Sequence, residues 1–219
     1  AETVPAYQAF LEDANVDREG VETYDDWETK VPPIDKDNYL KKYPLPRRCI
    51  GGQLSPGDVD FVHVSSGSTG EPTFWARSAM SELSIAARFE QVMLDAFGCD
   101  SKRTLAVVAF PMGSWVGGVF TTFCLRYLSV KGHPITVVTP GNQPPEILKC
   151  VSHLSPMFER TCILGYPPFV KGVIDAGCAQ GLPWSDLNLC LVFAGEVFSE
   201  EWRQLVASRA GISRPLRDM

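Results

Sequence analysis

Histidine is scarce in this chain, with three in 219 residues, and those three (His63, His133 and His153) are far apart. Dispersed this way they offer no zinc site. His63, one position before the end of an apolar stretch, is expected to pack. His133 and His153, at helix or loop boundaries, are expected to be solvated. Cysteine is more frequent, but its seven positions form no C-x-x-C pair, and several lie inside apolar runs such as "TCILG" and "LNLCLVF". That pattern predicts reduced, packed thiols in a cytoplasmic protein rather than a disulfide framework or a metal cluster. No excess of basic residues is present. The formal charge of −6 argues against a general nucleic-acid or anionic-membrane footprint.

Charge itself is missing from Thr104 to Leu125, a stretch long enough to cross a bilayer. Pro111, Gly113, Ser114, Gly117 and Gly118 interrupt it, so a buried strand, a glycine-rich turn and a helix start account for it better, and no membrane span is expected. The chain begins at Ala1 without Met, so its natural start is expected upstream.

What remains is a chain of 45% hydrophobic composition, enough to bury a sizeable core. Residues 1–50 read as helices joined by proline-rich connectors: "PAYQAFLEDANV", then "IDKDNYLKKY" capped by Asp35, with "VPP" and "YPLP" between and after. From Val59 onward, apolar strand-like runs alternate with amphipathic segments. "TLAVVAF", "PITVVTP", "TCILG" and "LNLCLVFAG" read as strands, "TLAVVAF" as one covered on both faces. Between them, "SELSIAARFEQVMLDAFG", "VFTTFCLRYLSVKG", "PPEILKCVSHL", "PPFVKGVIDAG" and "SEEWRQLVASRAG" read as helices, the last capped by Ser199. This alternation predicts an α/β fold over 51–219, a largely parallel sheet with flanking helices, preceded by the short helical segment. Ligands in such sheets gather at the carboxyl ends of strands, the position expected for "SSGSTGEPT", "PMGSWVGG", "GYPP" and "AGEVF".

The most distinctive of these is "SSGSTGEPT": Ser65, Ser66, Gly67, Ser68, Thr69, Gly70, Glu71, Pro72 and Thr73. Its glycines and hydroxyls suit an anion bound through backbone N–H groups and side-chain oxygens. It is not a G-x-x-x-x-G-K-[ST] loop, because no lysine follows either glycine at that spacing. Nor does it give G-x-G-x-x-G or G-x-S-x-G. A plain Gly/Ser/Thr turn remains the alternative on these residues alone.

The segment closely resembles the phosphate loop of the adenylate-forming superfamily, the acyl- and aryl-CoA synthetases. The closing Thr73, where many members carry lysine, resembles the phenylacetate–coenzyme A ligase branch. "VPPIDKDNYL", "GYPPFV" and "AGEVFSEEWRQLVASRAG" resemble segments of that branch in the same order; where the family commonly has two glycines, this chain has Ala194–Gly195. The resemblance implies a partial N-terminal domain of an enzyme that joins a carboxylic acid, of aromatic class, to ATP with loss of pyrophosphate. The acyl-adenylate then passes to coenzyme A. It implies ATP, Mg2+ and coenzyme A as cofactors, a small carboxylic acid substrate, and a homodimer as one option for the full-length protein. It implies further that Glu196 lies by the adenine, and that Ala194 and Gly195 line the nucleotide pocket. Trp115, Tyr166 and Pro167, on strand-end loops, are candidates for the acid pocket, with core filling or a structural turn as the other reading. Two other functions stay open: a non-catalytic nucleotide-binding module, and an adenylating enzyme with an amine or carrier-protein acceptor. The family's metal, ribose and catalytic-lysine motifs are expected beyond Met219, so the 219 residues alone are expected to be inactive.

Overall fold

The computed structural model describes residues 3–65, 72–212 and the backbone of 217–218, in two compact units, Ala1–Ala79 and Met80–Met219. No helix among the described residues is long and apolar enough to cross a membrane. The uncharged stretch from Thr104 resolves into a strand, a turn and a helix.

The first unit is built on α1 (Pro5–Asp13), which begins at a proline and buries Ala6, Phe10 and Leu11. These pack with Tyr39 and Tyr43 into a small core; the Phe10 and Tyr39 rings meet edge-on with centroids 5.7 Å apart. Asp35 caps as expected, its carboxylate accepting from the backbone N–H groups of Asp37 and Asn38. The element it caps is one π-type turn, Lys36–Leu40, shorter than the helix expected there. A second helix, α2 (Tyr24–Lys30), has no buried residue and was not anticipated. Thr23 and Asp26 hold its start by reciprocal hydrogen bonds. The unit continues past residue 50 into a two-stranded antiparallel sheet, β1 (Phe61–Ser65) with β2 (Thr73–Arg77), in register from Phe61 opposite Arg77 to Ser65 opposite Thr73. The expectation that "SSGSTGEPT" ends a strand of the parallel sheet is therefore corrected. It joins the strands of a hairpin, because the apolar run after it turns back onto β1.

The second unit opens with α3 (Ala79–Asp95) and then alternates strictly: β3 (Thr104–Val108), α4 (Val116–Val130), β4 (Ile135–Val138), α5 (Pro144–Leu154), β5 (Arg160–Gly165), α6 (Pro167–Ala179), β6 (Leu189–Phe193), α7 (Glu200–Arg209) and the short β7 (Arg217–Asp218). The strands form one parallel sheet in the order β4-β3-β5-β6-β7. The α/β architecture with a parallel sheet and flanking helices is thus the observed one. Alternation of side chains along each strand divides the core in two. Leu105, Val107, Ile163, Leu191 and Phe193 face α5, α6 and α7. Ala106, Val108, Cys162, Leu164 and Val192 face α3 and α4. Both faces are covered, which is why the strands read as continuous apolar runs rather than alternating ones. On α3 the buried stripe is Glu82, Ala86, Phe89 and Met93, and Phe97, just beyond the helix, is buried with it.

None of the seven cysteines forms a disulfide. Cys49, Cys99, Cys124 and Cys162 are buried and Cys178 is exposed. His63 is buried beside Phe61, as expected. His133 corrects the expectation of a solvated ring: its Nε2 lies 2.6 Å from Glu90 Oε1, and Lys131 binds the same carboxylate. The hydrogen bonds from Lys131 and His133 hold the Glu90 carboxyl below its ordinary range, Lys131 contributing most.

Candidate functional site

The strand order defines where a ligand would sit in the second unit. The chain passes from β3 to β4 on one side and then returns to β5 on the other, so the connections leaving the carboxyl ends of β3 and β5 diverge and leave a crevice between them. Three loops border this region.

After β3, the segment from Phe110 runs to Trp115, the residue before α4. Trp115 is 39% exposed, with no side-chain hydrogen bond capping the helix. The loop folds tightly onto the first turn of α4. A Cβ on Gly118 would stand 2.2 Å from the Pro111 carbonyl oxygen, and backbone at that distance cannot give way.

After β5, Tyr166 precedes α6 and Pro167 fills its first position; Pro167 is buried and Tyr166 is 39% exposed. After β6, Ala194, Gly195 and Glu196 make a turn anchored from both ends. The Ala194 N–H reaches the Gly165 carbonyl at 3.4 Å. On the other side Phe193, Phe198 and Trp202 form an aromatic cluster with centroids 4.8–5.4 Å apart, and Ser199 Oγ accepts from the Trp202 N–H. Gly195 has φ of +99°, a conformation that glycine adopts without strain. Ala194 does not share it, so a methyl group fits where the resembling family commonly has glycine.

These two turns meet. The Tyr166 phenol donates a hydrogen bond to Glu196 Oε2. The accepting carboxylate, with a smaller contribution from desolvation, pushes the phenol above its ordinary range. The result is a rigid aromatic plane and a carboxylate, both exposed, at the carboxyl ends of neighbouring strands. The plane can stack on a flat ring, and the carboxylate can accept from amino or hydroxyl groups. Thus the structure brings together Tyr166, Pro167, Ala194, Gly195 and Glu196; Trp115 stands on the loop after β3, the strand that pairs with β5. Sequence reading missed the Tyr166–Glu196 hydrogen bond. Its one available signal was that Tyr166 directly follows, and Glu196 comes three residues after, a strongly apolar strand.

The phosphate-loop candidates stand in the first unit. Ser65 closes β1 opposite Thr73, which opens β2, and the Trp75 indole N–H donates to Ser65 Oγ at 2.8 Å. The Ser65 hydroxyl keeps its own proton for a further acceptor. Ser66, Gly67, Ser68, Thr69, Gly70 and Glu71 lie outside the described residues; Pro72 leads into β2. Among the described residues no group of three His, Cys, Asp or Glu side chains could hold a metal ion.

A parallel α/β sheet with helices on both faces and a crevice at its switch point defines a broad class of ligand-binding domain. Within it, the chain shares its fold with solved structures of 2-hydroxyisobutyryl-CoA ligase. Against that ligase in the postadenylation state with 2-HIB-AMP, the TM-score is 0.74 at 19% identity, over 99% of this chain and 44% of the other. Against the thioesterification state with 2-HIB-AMP and CoA it is 0.73 at 20% identity, over 96% and 43%. The open conformation with the same ligands gives 0.72 at 18% identity, over 96% and 44%. The chain therefore spans less than half the length of the ligase whose fold it shares. No family model matches it. No curated protein matches it either.

Proposed function

We propose that this chain is the N-terminal, phosphate-loop-bearing part of an AMP-forming acid–coenzyme A ligase resembling the phenylacetate–coenzyme A ligase branch. The observation that carries the reading is the fold shared over 96–99% of the chain with an acyl-CoA ligase, joined to the "SSGSTGEPT" sequence between β1 and β2. In this reading the hydroxyls of Ser65, Ser66, Ser68, Thr69 and Thr73, with backbone N–H groups freed by Gly67 and Gly70, bind the β- and γ-phosphates of ATP. Glu71 and Pro72 shape the exit of the loop. Glu196, with Ala194 and Gly195, borders the adenine. Trp115, Tyr166 and Pro167 line the acid pocket, and its two exposed aromatic side chains, Trp115 and Tyr166, favour an aromatic acid.

One oxygen of the substrate carboxylate attacks the α-phosphorus of ATP. The bond to the bridging oxygen breaks and pyrophosphate leaves with that electron pair, giving the acyl-adenylate. The thiol sulfur of coenzyme A then attacks the acyl carbon, AMP departs, and the thiol proton is lost. Such transfers depend on positioning and charge stabilisation more than on covalent help from side chains. The Mg2+ that accompanies ATP finds no three-ligand cluster among the described residues, and no step is assigned to it.

The reading is tested by acid-dependent pyrophosphate release from the full-length protein over a panel of aromatic and aliphatic acids, beside the 219-residue chain alone. The full-length protein is expected to turn over an aromatic acid and the shorter chain to form no AMP. No ATP consumption with any acid, despite tight ATP binding, would point to a non-catalytic nucleotide module. Robust AMP formation by the shorter chain would overturn the assignment of catalytic groups beyond Met219.

A further inference from the structure

A cavity of about 290 Å³ opens within the first unit, and nothing in the ligase reading uses it. Phe74 and Trp75 of β2 form part of its wall, and Tyr39 and Cys49 contribute from the helical part of the unit. Into this largely apolar lining comes one cation. Arg48 Nη2 donates to the Phe74 carbonyl at 3.3 Å, which ties the guanidinium to the wall. Its Nε is buried and has no hydrogen-bond partner. A buried donor left unsatisfied is costly, and Arg48 lines the cavity, so an oxygen brought by a ligand there meets a guanidinium with unused donor capacity. The volume is close to the lower end of small-molecule pockets, roughly 300 Å³. Asp58, exposed among the lining residues, discourages a second negative charge.

We propose that this cavity binds a small monoanionic amphiphile: a monocarboxylate whose oxygen accepts from the Arg48 guanidinium and whose short hydrocarbon or aromatic body lies against Phe74 and Trp75. Trp75 also donates to Ser65 at the end of β1, so an occupant touches the hairpin one side chain away from the candidate phosphate loop. The site stands on the first unit alone and does not depend on the ligase assignment.

The test is a titration of the 219-residue chain, followed by the Arg48 Nε–H and Trp75 indole N–H resonances. These are assigned by their loss in Arg48→Gln and Trp75→Phe. Three probes are compared: hexanoate, hexanol and inorganic phosphate. Hexanoate is expected to shift both resonances saturably and to bind at least about tenfold more tightly than hexanol, the discrimination that one charge-assisted hydrogen bond supplies. Phosphate is expected to shift neither. In Arg48→Gln, hexanoate should bind no better than hexanol. Equal binding of hexanoate and hexanol would show an apolar hole without anion recognition, and a phosphate response matching that of hexanoate would show a bare cation. Either result overturns the proposal, as does the absence of saturation by hexanoate. Should Arg48→Gln fail to fold, the three probes on the natural chain still decide the matter.

Discussion

Ser65 and Thr73 face each other across the last rung of the β1–β2 hairpin, and Trp75 holds the Ser65 oxygen from two residues further along β2. The two ends of the candidate phosphate loop are therefore fixed by strand pairing while the residues between them carry the hydroxyls and glycines. If that loop grips phosphates, Thr69→Ala and Gly70→Ala in the full-length protein lower pyrophosphate release by orders of magnitude and leave the circular dichroism unchanged. Ser65→Ala loses activity too, and also weakens the hairpin by about 1 kcal/mol through the lost indole bond. Undiminished release in all three variants would remove the loop from the site.

Trp115 and Tyr166 stand at the mouths of adjacent strands, each 39% exposed. Trp115→Ala and Tyr166→Ala in the full-length protein are expected to reorder the panel of accepted acids more than they change ATP affinity. Uniform losses across the panel, accompanied by a fall in melting temperature, would mark both as packing residues.

The hydrogen bond from Tyr166 to Glu196 has a pH signature. Because the phenol's folded-state value is raised, the contact's contribution is fully present below the ordinary tyrosine value of about 10 and is lost as pH rises through the folded value. Phenolate absorbance, taken as the difference between the natural chain and Tyr166→Phe, should therefore show a midpoint above the ordinary tyrosine value of about 10. In Glu196→Gln the midpoint falls back. An unchanged midpoint would mean that the carboxylate does not hold the phenol in solution.

Gly118→Ala places a methyl group against the Pro111 carbonyl. Overpacking of this kind costs roughly 1–3 kcal/mol. In a chain of this size that lowers the melting temperature by several degrees, measurable by calorimetry. An alanine variant that melts with the natural chain would show that the loop before α4 relaxes freely.

The second unit was legible from sequence because burial on both faces of the sheet writes itself as unbroken apolar runs, "TLAVV" in β3 and "LCLVF" in β6, separated by helices of which α5 and α6 begin at proline. Legibility failed where burial does not select residues. The segment "YDDWETK" of α2 buries nothing, so it carries no apolar stripe, and only the Thr23–Asp26 cap marks its start. The hairpin was misassigned for a related reason. Its strands carry mixed exposure, and the seven residues from 66 to 72 hide the reversal that a two-residue turn would have announced. Individual site residues were recognisable by their place after strands. The bond between Tyr166 and Glu196, thirty residues apart, depends on β5 and β6 being neighbours, which no local pattern encodes.

The strand order has a consequence for synthesis on the ribosome. Both partners of β3 come later in the chain: β4 ends at Val138 and β5 does not begin until Arg160. Leu105–Val108, wholly buried in the finished sheet, therefore emerges first and waits with its backbone unpaired on either edge. At roughly 5–20 residues per second, several seconds pass before the sheet can close around it. At the start of that interval α3, already made, is able to cover one of its faces, and the other stays open, until α5 emerges, to any chaperone that binds extended apolar segments.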